Sequence, residues 1–406
     1  MNDNDIQPEF GDCLPSKATM NRRDFLRVGS AAGAAAFLGI QFTAKAAPKA
    51  NVAGICVISH QPELYCGWPT IARRRNGQLL VAWSGGREGH VCPFGRVEMM
   101  TSNDDGASWS WPQVLLDSPM DDRDAGVMET GRGSILVTTF TSLAHEPMLS
   151  SARAKKVGEK GAWPEERLAS WNAAHDRMTA EERRAGLGEW LTRSTDGGVT
   201  WSARTPTVLN SPHGPIQLKD GRLLYPGKEL WTKEKRIGVS ESRDDGQTWK
   251  WLAEIPARPG DGVLNYHELH GVEASDGRIV VQIRNHNKNN ARETLQTESA
   301  DGGKTWSEPR AIGVWGLPSF LLRLRDGRLL MTYGHRRDPL GNQARLSEDH
   351  GRTWSEPIII SEDGTSGDIG YPSTVELADG SLLTVWYESI KGMPKAVLRQ
   401  AKWKII

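Results

Sequence analysis

The sequence is poor in cysteine, carries no excess charge of either sign and has no long apolar run. Its four cysteines include Cys13 near the N terminus, which leaves Cys56, Cys66 and Cys92, an odd number without metal-ligand spacing. At most one disulfide is possible among the three, so the core must form without a covalent framework. Fifty Lys plus Arg balance fifty Asp plus Glu, and a formal charge of zero argues against a nucleic-acid or anionic-membrane partner. The longest apolar stretch, Val28 to Ile40, falls short of the roughly 20 residues that a membrane-spanning helix needs. A composition of 38% hydrophobic and 25% charged residues excludes bulk disorder and fits a soluble globular chain.

That apolar stretch follows Asn21-Arg22-Arg23-Asp24-Phe25-Leu26-Arg27 and precedes Ala44-Lys45-Ala46, a small-x-small cleavage pattern. The arrangement resembles a twin-arginine export signal over residues 1–46, which places the mature protein, residues 47–406, in the periplasm or outside the cell. Its removal takes away five charges of each sign and leaves the mature chain neutral.

Two repeats interleave along the rest of the chain. The pattern Ser-x-Asp-x-Gly-x-Ser/Thr-Trp occurs five times: Ser102 to Trp109, Ser194 to Trp201, Ser242 to Trp249, Ser299 to Trp306 and Ser347 to Trp354. Two apolar strands around a tight turn occur six times, at Asn76-Gly77, Arg132-Gly133, Asp220-Gly221, Asp276-Gly277, Asp326-Gly327 and Asp379-Gly380. Such pairs favour two-residue type I′ hairpins. One hairpin and one octapeptide make a unit of four short strands, and six units predict an all-β, six-bladed β-propeller. The last unit has a third strand, Ala396 to Ile405, and no octapeptide, so the strand-like Val52 to His60 is expected to complete it and cover an open edge. The longest interval between turns carries an insertion in blade 2, residues 142–189, in which Thr179-Ala-Glu-Glu182-Arg-Arg reads as a capped helix.

Because strand direction alternates, the hairpin turns and octapeptides share one rim. His90, His213, His267, His270, His286 and His335 fall on the opposite rim, which is therefore the expected functional face. Counting eight residues back from each turn reaches an equivalent rung of every innermost strand: Trp68, Asp124, Pro212, Glu268, Pro318 and Tyr371. A ring that holds Asp, Glu and Tyr is chemically equipped.

The octapeptides resemble the Asp-boxes of the sialidase superfamily, whose catalytic members are six-bladed propellers; the boxes themselves are structural and occur in non-enzymes too. Glu268-Leu-His-Gly-Val-Glu273 with Gln282-Ile-Arg284-Asn285 resembles the segment that carries the family's general base and the second arginine of its carboxylate-binding triad. Gly370-Tyr371-Pro-Ser with Trp386-Tyr387-Glu388 resembles the segment that carries its tyrosine nucleophile. The resemblance implies an exo-glycosidase that needs no metal or cofactor and acts on sialylated or other acidic glycans. The chemistry is coherent, because a carboxylate on the anomeric carbon repels an anionic nucleophile but admits a neutral phenol that a glutamate then deprotonates. Arginine offers that carboxylate a planar two-point contact.

The family pattern is broken in three places. Glycine, Gly67, stands where the first triad arginine is expected, and the blade 1 loop from Ser84 to Phe94 lacks the acid/base aspartate. Asp124 or Glu88 is the candidate proton donor, with Arg87 or Arg123 replacing the lost arginine. Arg336 and Arg337 compete for the third triad position, and His267 and His270 are candidates for contacting sugar hydroxyls. Two other readings stay open: a non-catalytic propeller that binds glycan or protein through this rim, and a metal site built from the rim histidines with Asp122, Asp124 and Glu268.

Overall fold

The structure is a computed structural model that describes residues 47–406; the export signal lies outside the described residues. Six antiparallel sheets of four strands each form the six blades of a β-propeller. The innermost strands are Tyr65–Arg73, Asp121–Glu129, Ile216–Gln217, Tyr266–Glu273, Ser319–Arg323 and Ile369–Glu376. Blade 6 takes its outer strand from the other end of the chain: Ala50–Val57 pairs with Val397–Ile405, and Lys49 and Ile406 exchange backbone hydrogen bonds of 2.9 Å.

Both faces of each sheet are apolar because each packs on a neighbour. Six buried clusters result, one for each contact between blades. Blades 1 and 2, for example, share Leu80, Ala82, Val97 and Met99 with Ala125, Val127, Ile135 and Val137. Leu80 has no exposed surface, and such a side chain contributes about 1.5–3 kcal/mol by burial. The boxes behave as fasteners. In the first, Ser102 donates to Asp104 at 2.7 Å, and Asp104 accepts from the Ser108 amide at 2.9 Å. Trp201, Trp249 and Trp306 donate to the carbonyls of Gly198, Gly246 and Gly303 in their own boxes.

The hairpins differ from the sequence expectation in turn type. The Arg74 amide donates to Gln78 O and the Gly77 amide to Arg74 O, with the same closure in the other five. Positive φ is confined to the glycine, 92° at Gly77 and 79° at Gly380. These are type I turns closed by a G1 bulge, with three loop residues where a I′ turn has two.

Three helices occupy the insertion between the second and third strands of blade 2: α1, Glu146–Arg153; α2, Glu165–His175; and α3, Ala180–Ala185. The Thr179–Glu182 capping box that starts α3 is formed in both directions. Among the described residues no helix is long and apolar enough to cross a membrane, and Cys56, Cys66 and Cys92 are all free.

Candidate active site

Four innermost strands break their ladder near the rim opposite the hairpins, between Gly67 and Thr70, Arg123 and Gly126, His267 and Leu269, and Gly370 and Ser373. Trp68, Asp124 and Tyr371 sit in three of these breaks with φ of 55°, 53° and 53°. Left-handed backbone at a bulky residue costs on the order of 1–3 kcal/mol and concentrates at functional sites, and a bulge re-aims the side chain it carries. Glu268 occupies the fourth break.

The re-aimed groups meet. Tyr371 donates its hydroxyl to Glu268 Oε1 at 2.5 Å. Arg284 Nη1 reaches both Glu268 oxygens, at 3.0 and 2.7 Å, and the Tyr371 hydroxyl at 3.1 Å. Its Nε donates to His286 Nε2 at 2.9 Å, whereas Nη2 has no hydrogen-bond partner among the described residues. Burial pushes the Glu268 carboxyl up, but the Arg284 charge and the Tyr371 hydrogen bond outweigh it and hold the group down at about 2. Burial, then the Glu268 charge, raise Tyr371 well above the ordinary phenol range against the pull of Arg284. At neutral pH the pair is a phenol already bonded to its carboxylate base.

Asp124 is 9% exposed, and its side chain has no hydrogen-bond partner among the described residues. Burial and the nearby Glu268 charge push it up to about 7 despite Arg123, Arg87 and Arg284, so it holds a proton near neutrality. Arg123 lies over the Trp68 ring at 4.7 Å. Its buried Nε lies 3.9 Å from Asp121, beyond hydrogen-bond distance, and its Nη2 makes a long 3.5 Å bond to His90 O. Arg336 donates from Nε to Ile369 O at 2.9 Å and forms no ion pair among the described residues, while its charge acts on His286 and Tyr387 beside Arg284.

Four sequence candidates lie elsewhere. Arg87 is fully buried and all its N–H groups are engaged, two of them on Asp121 at 2.5 and 3.1 Å and the rest on Ser84, Gly89 and His90; no donor remains for a ligand. Glu88 faces the insertion, accepting from Trp171 Nε1 at 2.5 Å and pairing with Arg167 at 2.5 Å, so it is held away from proton transfer. Arg337 stacks on Trp315 at 3.8 Å. His270 is buried deeper: Nδ1 accepts the Leu321 amide at 2.9 Å and the ring stacks on Phe320. With His213 and Phe320 it borders a cavity of about 480 Å³ that continues to the hairpin end of the central channel. This cavity is lined below by the ends of the innermost strands, such as Glu129, Glu273 and Glu376, and holds none of the reacting groups. His267, beside His286 at 4.9 Å, is held neutral by burial, pushed down to about 3. Among the described residues no three His, Cys, Asp or Glu are arranged to hold a metal ion, which leaves the metal reading without a ligand set.

Sequence reasoning missed a second cluster. Asp368 accepts from Tyr65 at 2.9 Å, from Tyr387 at 2.9 Å and from His90 Nδ1 at 2.9 Å. Those partners come from blades 1 and 6, and only the rim position of His90 hinted at them. The loop that carries His90 is fixed by the insertion: besides the Glu88 contacts, Cys92 is buried with Leu149 and Trp171, and Phe94 packs on them.

Comparison with known proteins gives the family and the fold. The model of the BNR repeat-like domain matches residues 161–384. A sialidase of Bacteroides fragilis (strain YCH46) is 26% identical over 72% of this chain and 54% of its own length; the chain thus spans about half of that relative. A protein of unknown function from Dyadobacter fermentans DSM 18053 superposes with a TM-score of 0.70 at 22% identity, covering 88% of this chain and 99% of that one. The Trypanosoma rangeli sialidase in complex with sialic acid gives a TM-score of 0.54 at 18% identity, over 83% of this chain and 54% of that one. At these identities the two structural likenesses establish the fold.

Proposed function

We propose, from the premise that this chain belongs to the BNR repeat-like family of the sialidase superfamily, that it is an exo-glycosidase which hydrolyses terminal sialic acid or a related acidic sugar from glycans. The observation that carries the reading is the Tyr371–Glu268–Arg284 contact, at 2.5 Å between the phenol and the carboxylate. Arg284 Nη2, Arg123 and Arg336 grip the sugar carboxylate. Tyr371 attacks the anomeric carbon as its proton passes to Glu268. The glycosidic bond breaks, its electron pair stays on the leaving oxygen, and Asp124 supplies the proton. Water, deprotonated by the Asp124 carboxylate, then releases the sugar from Tyr371, which takes its proton back.

The test is a screen of the wild-type protein against chromogenic glycosides of sialic acid, related nonulosonates and uronic acids, with sialyllactose as the natural-type substrate. Release of one acidic sugar and not of neutral ones is expected. Saturable binding of the glycan without release supports instead a non-catalytic glycan-binding propeller.

Export by the twin-arginine route is part of the same proposal, motivated by Arg22-Arg23 and the apolar stretch that follows. Replacing the pair by Arg22→Lys with Arg23→Lys is expected to retain the protein in the cytoplasm. Equal amounts of the double variant and the wild type in the periplasmic fraction would sink that part.

A further inference from the structure

We propose that His90, steered by Asp368, is the group that holds the leaving sugar: its Nε2 accepts a hydrogen bond from a hydroxyl of the glycan portion being cleaved off. The proposal rests on the hydrolase reading and adds the side of the substrate that lies beyond the scissile bond. Asp368 is the anchor. Burial raises its carboxyl, but the hydrogen bonds from His90, Tyr387 and Tyr65 hold it below the usual range. It is therefore a carboxylate acceptor, and His90 Nδ1 at 2.9 Å must carry the proton between them. Burial pulls the imidazole below its ordinary value despite Asp368, so the ring is neutral and presents a lone pair at Nε2, which has no hydrogen-bond partner among the described residues.

Depth assigns the partner. The His90 side chain is 47% exposed and Asp368 32%, against 20% for Glu268 and 15% for Arg284, with Tyr371 at 5%. A terminal sugar whose anomeric carbon reaches Tyr371 fills the deep part, so what it is attached to must pass the shallower His90. Charge assigns the chemistry. An anion and a lone pair repel a second carboxylate and accept hydroxyl donors, so the leaving group is a neutral, hydroxyl-bearing sugar. Trp68 stands edge-on to the imidazole at 5.0 Å, and the residues around it are pinned by Arg87, Glu88 and Cys92. That bracing gives the helical insertion a positioning role: it fixes the loop that presents His90.

The experiment compares wild type, His90→Ala and His90→Gln on sialyllactose and on an aryl glycoside of the same acidic sugar. In the alanine variant KM for sialyllactose should rise about tenfold, the loss of one hydrogen bond, with kcat nearly unchanged. KM for the aryl glycoside should stay within about twofold, because that leaving group offers no hydroxyl. Glutamine, whose amide oxygen falls near the Nε2 position, should recover most of the loss. Equal effects on both substrates, no effect on either, or a fall in kcat alone would overturn the proposal while leaving the hydrolase reading intact. A wild-type protein that cleaves neither substrate overturns both.

Discussion

Tyr371→Phe is expected to lower kcat for an aryl glycoside of the accepted sugar by at least about 10³-fold, roughly 4 kcal/mol of barrier, with little change in the affinity for the free sugar. The substitution deletes one oxygen. The ring remains against Trp68 and Tyr387, at 6.4 and 5.8 Å between centroids, and Glu268 remains tied to Arg284. No other phenol replaces it, because Tyr387 and Tyr65 both donate to Asp368. A phenylalanine variant within tenfold of wild type would mean that water attacks directly and that the phenol is a packing residue.

Asp124→Asn separates two steps and also reports on stability. With an unactivated glycan, loss of the proton donor should cost about 10²–10⁴-fold; with an aryl leaving group that departs unaided, bond cleavage should be nearly unaffected. Equal losses in the single-turnover rate of bond cleavage on both substrates would reject the donor role. In the wild type, the rate on the glycan should fall as pH rises through about 7, where Asp124 loses its proton. The stability consequence has a definite sign. The folded carboxyl keeps its proton up to about 7, whereas the unfolded one loses it near its ordinary 3.8. The unfolded state therefore binds fewer protons across that window, and this group's contribution falls as pH rises from about 4 to 7 and stays lost above. The asparagine variant lacks that slope and should be the more stable protein at pH 8. Denaturant midpoints across pH 4–8 that fall in parallel for both proteins would refute the assignment.

What could be read in advance follows a physical division. The blade count, the shared rim and the common rung of Asp124, Glu268 and Tyr371 rest on local repeats, and local repeats are visible in a linear string. The eight-residue ruler held in four blades, at Trp68, Asp124, Glu268 and Tyr371, because each hairpin closes alike, and missed in blades 3 and 5, where Pro212 and Pro318 precede the innermost strands; the turn is type I with a bulge, and the same Asp-Gly pair suits both turn types. The misassigned groups fail for the opposite reason. Arg87 is captured by Asp121, 34 positions away, and Glu88 by Trp171, 83 positions away. Nothing near either residue announces its partner. Asp368 is the extreme case, since its hydrogen bonds span 278 and 303 positions. Arg336 and Arg337 are adjacent in the chain yet point to Ile369 and to Trp315, a choice that only the finished surface makes.

The pairing of Ala50–Val57 with Val397–Ile405 bears on how the molecule is made. The strand that leaves the ribosome early has to wait, unpaired, until the last one is synthesised, so five blades can assemble while the ring still gapes. During that interval a bare ladder edge is open to another molecule doing the same. Removing the strand Val397–Ile405 would therefore be felt as clumping of newly made chains.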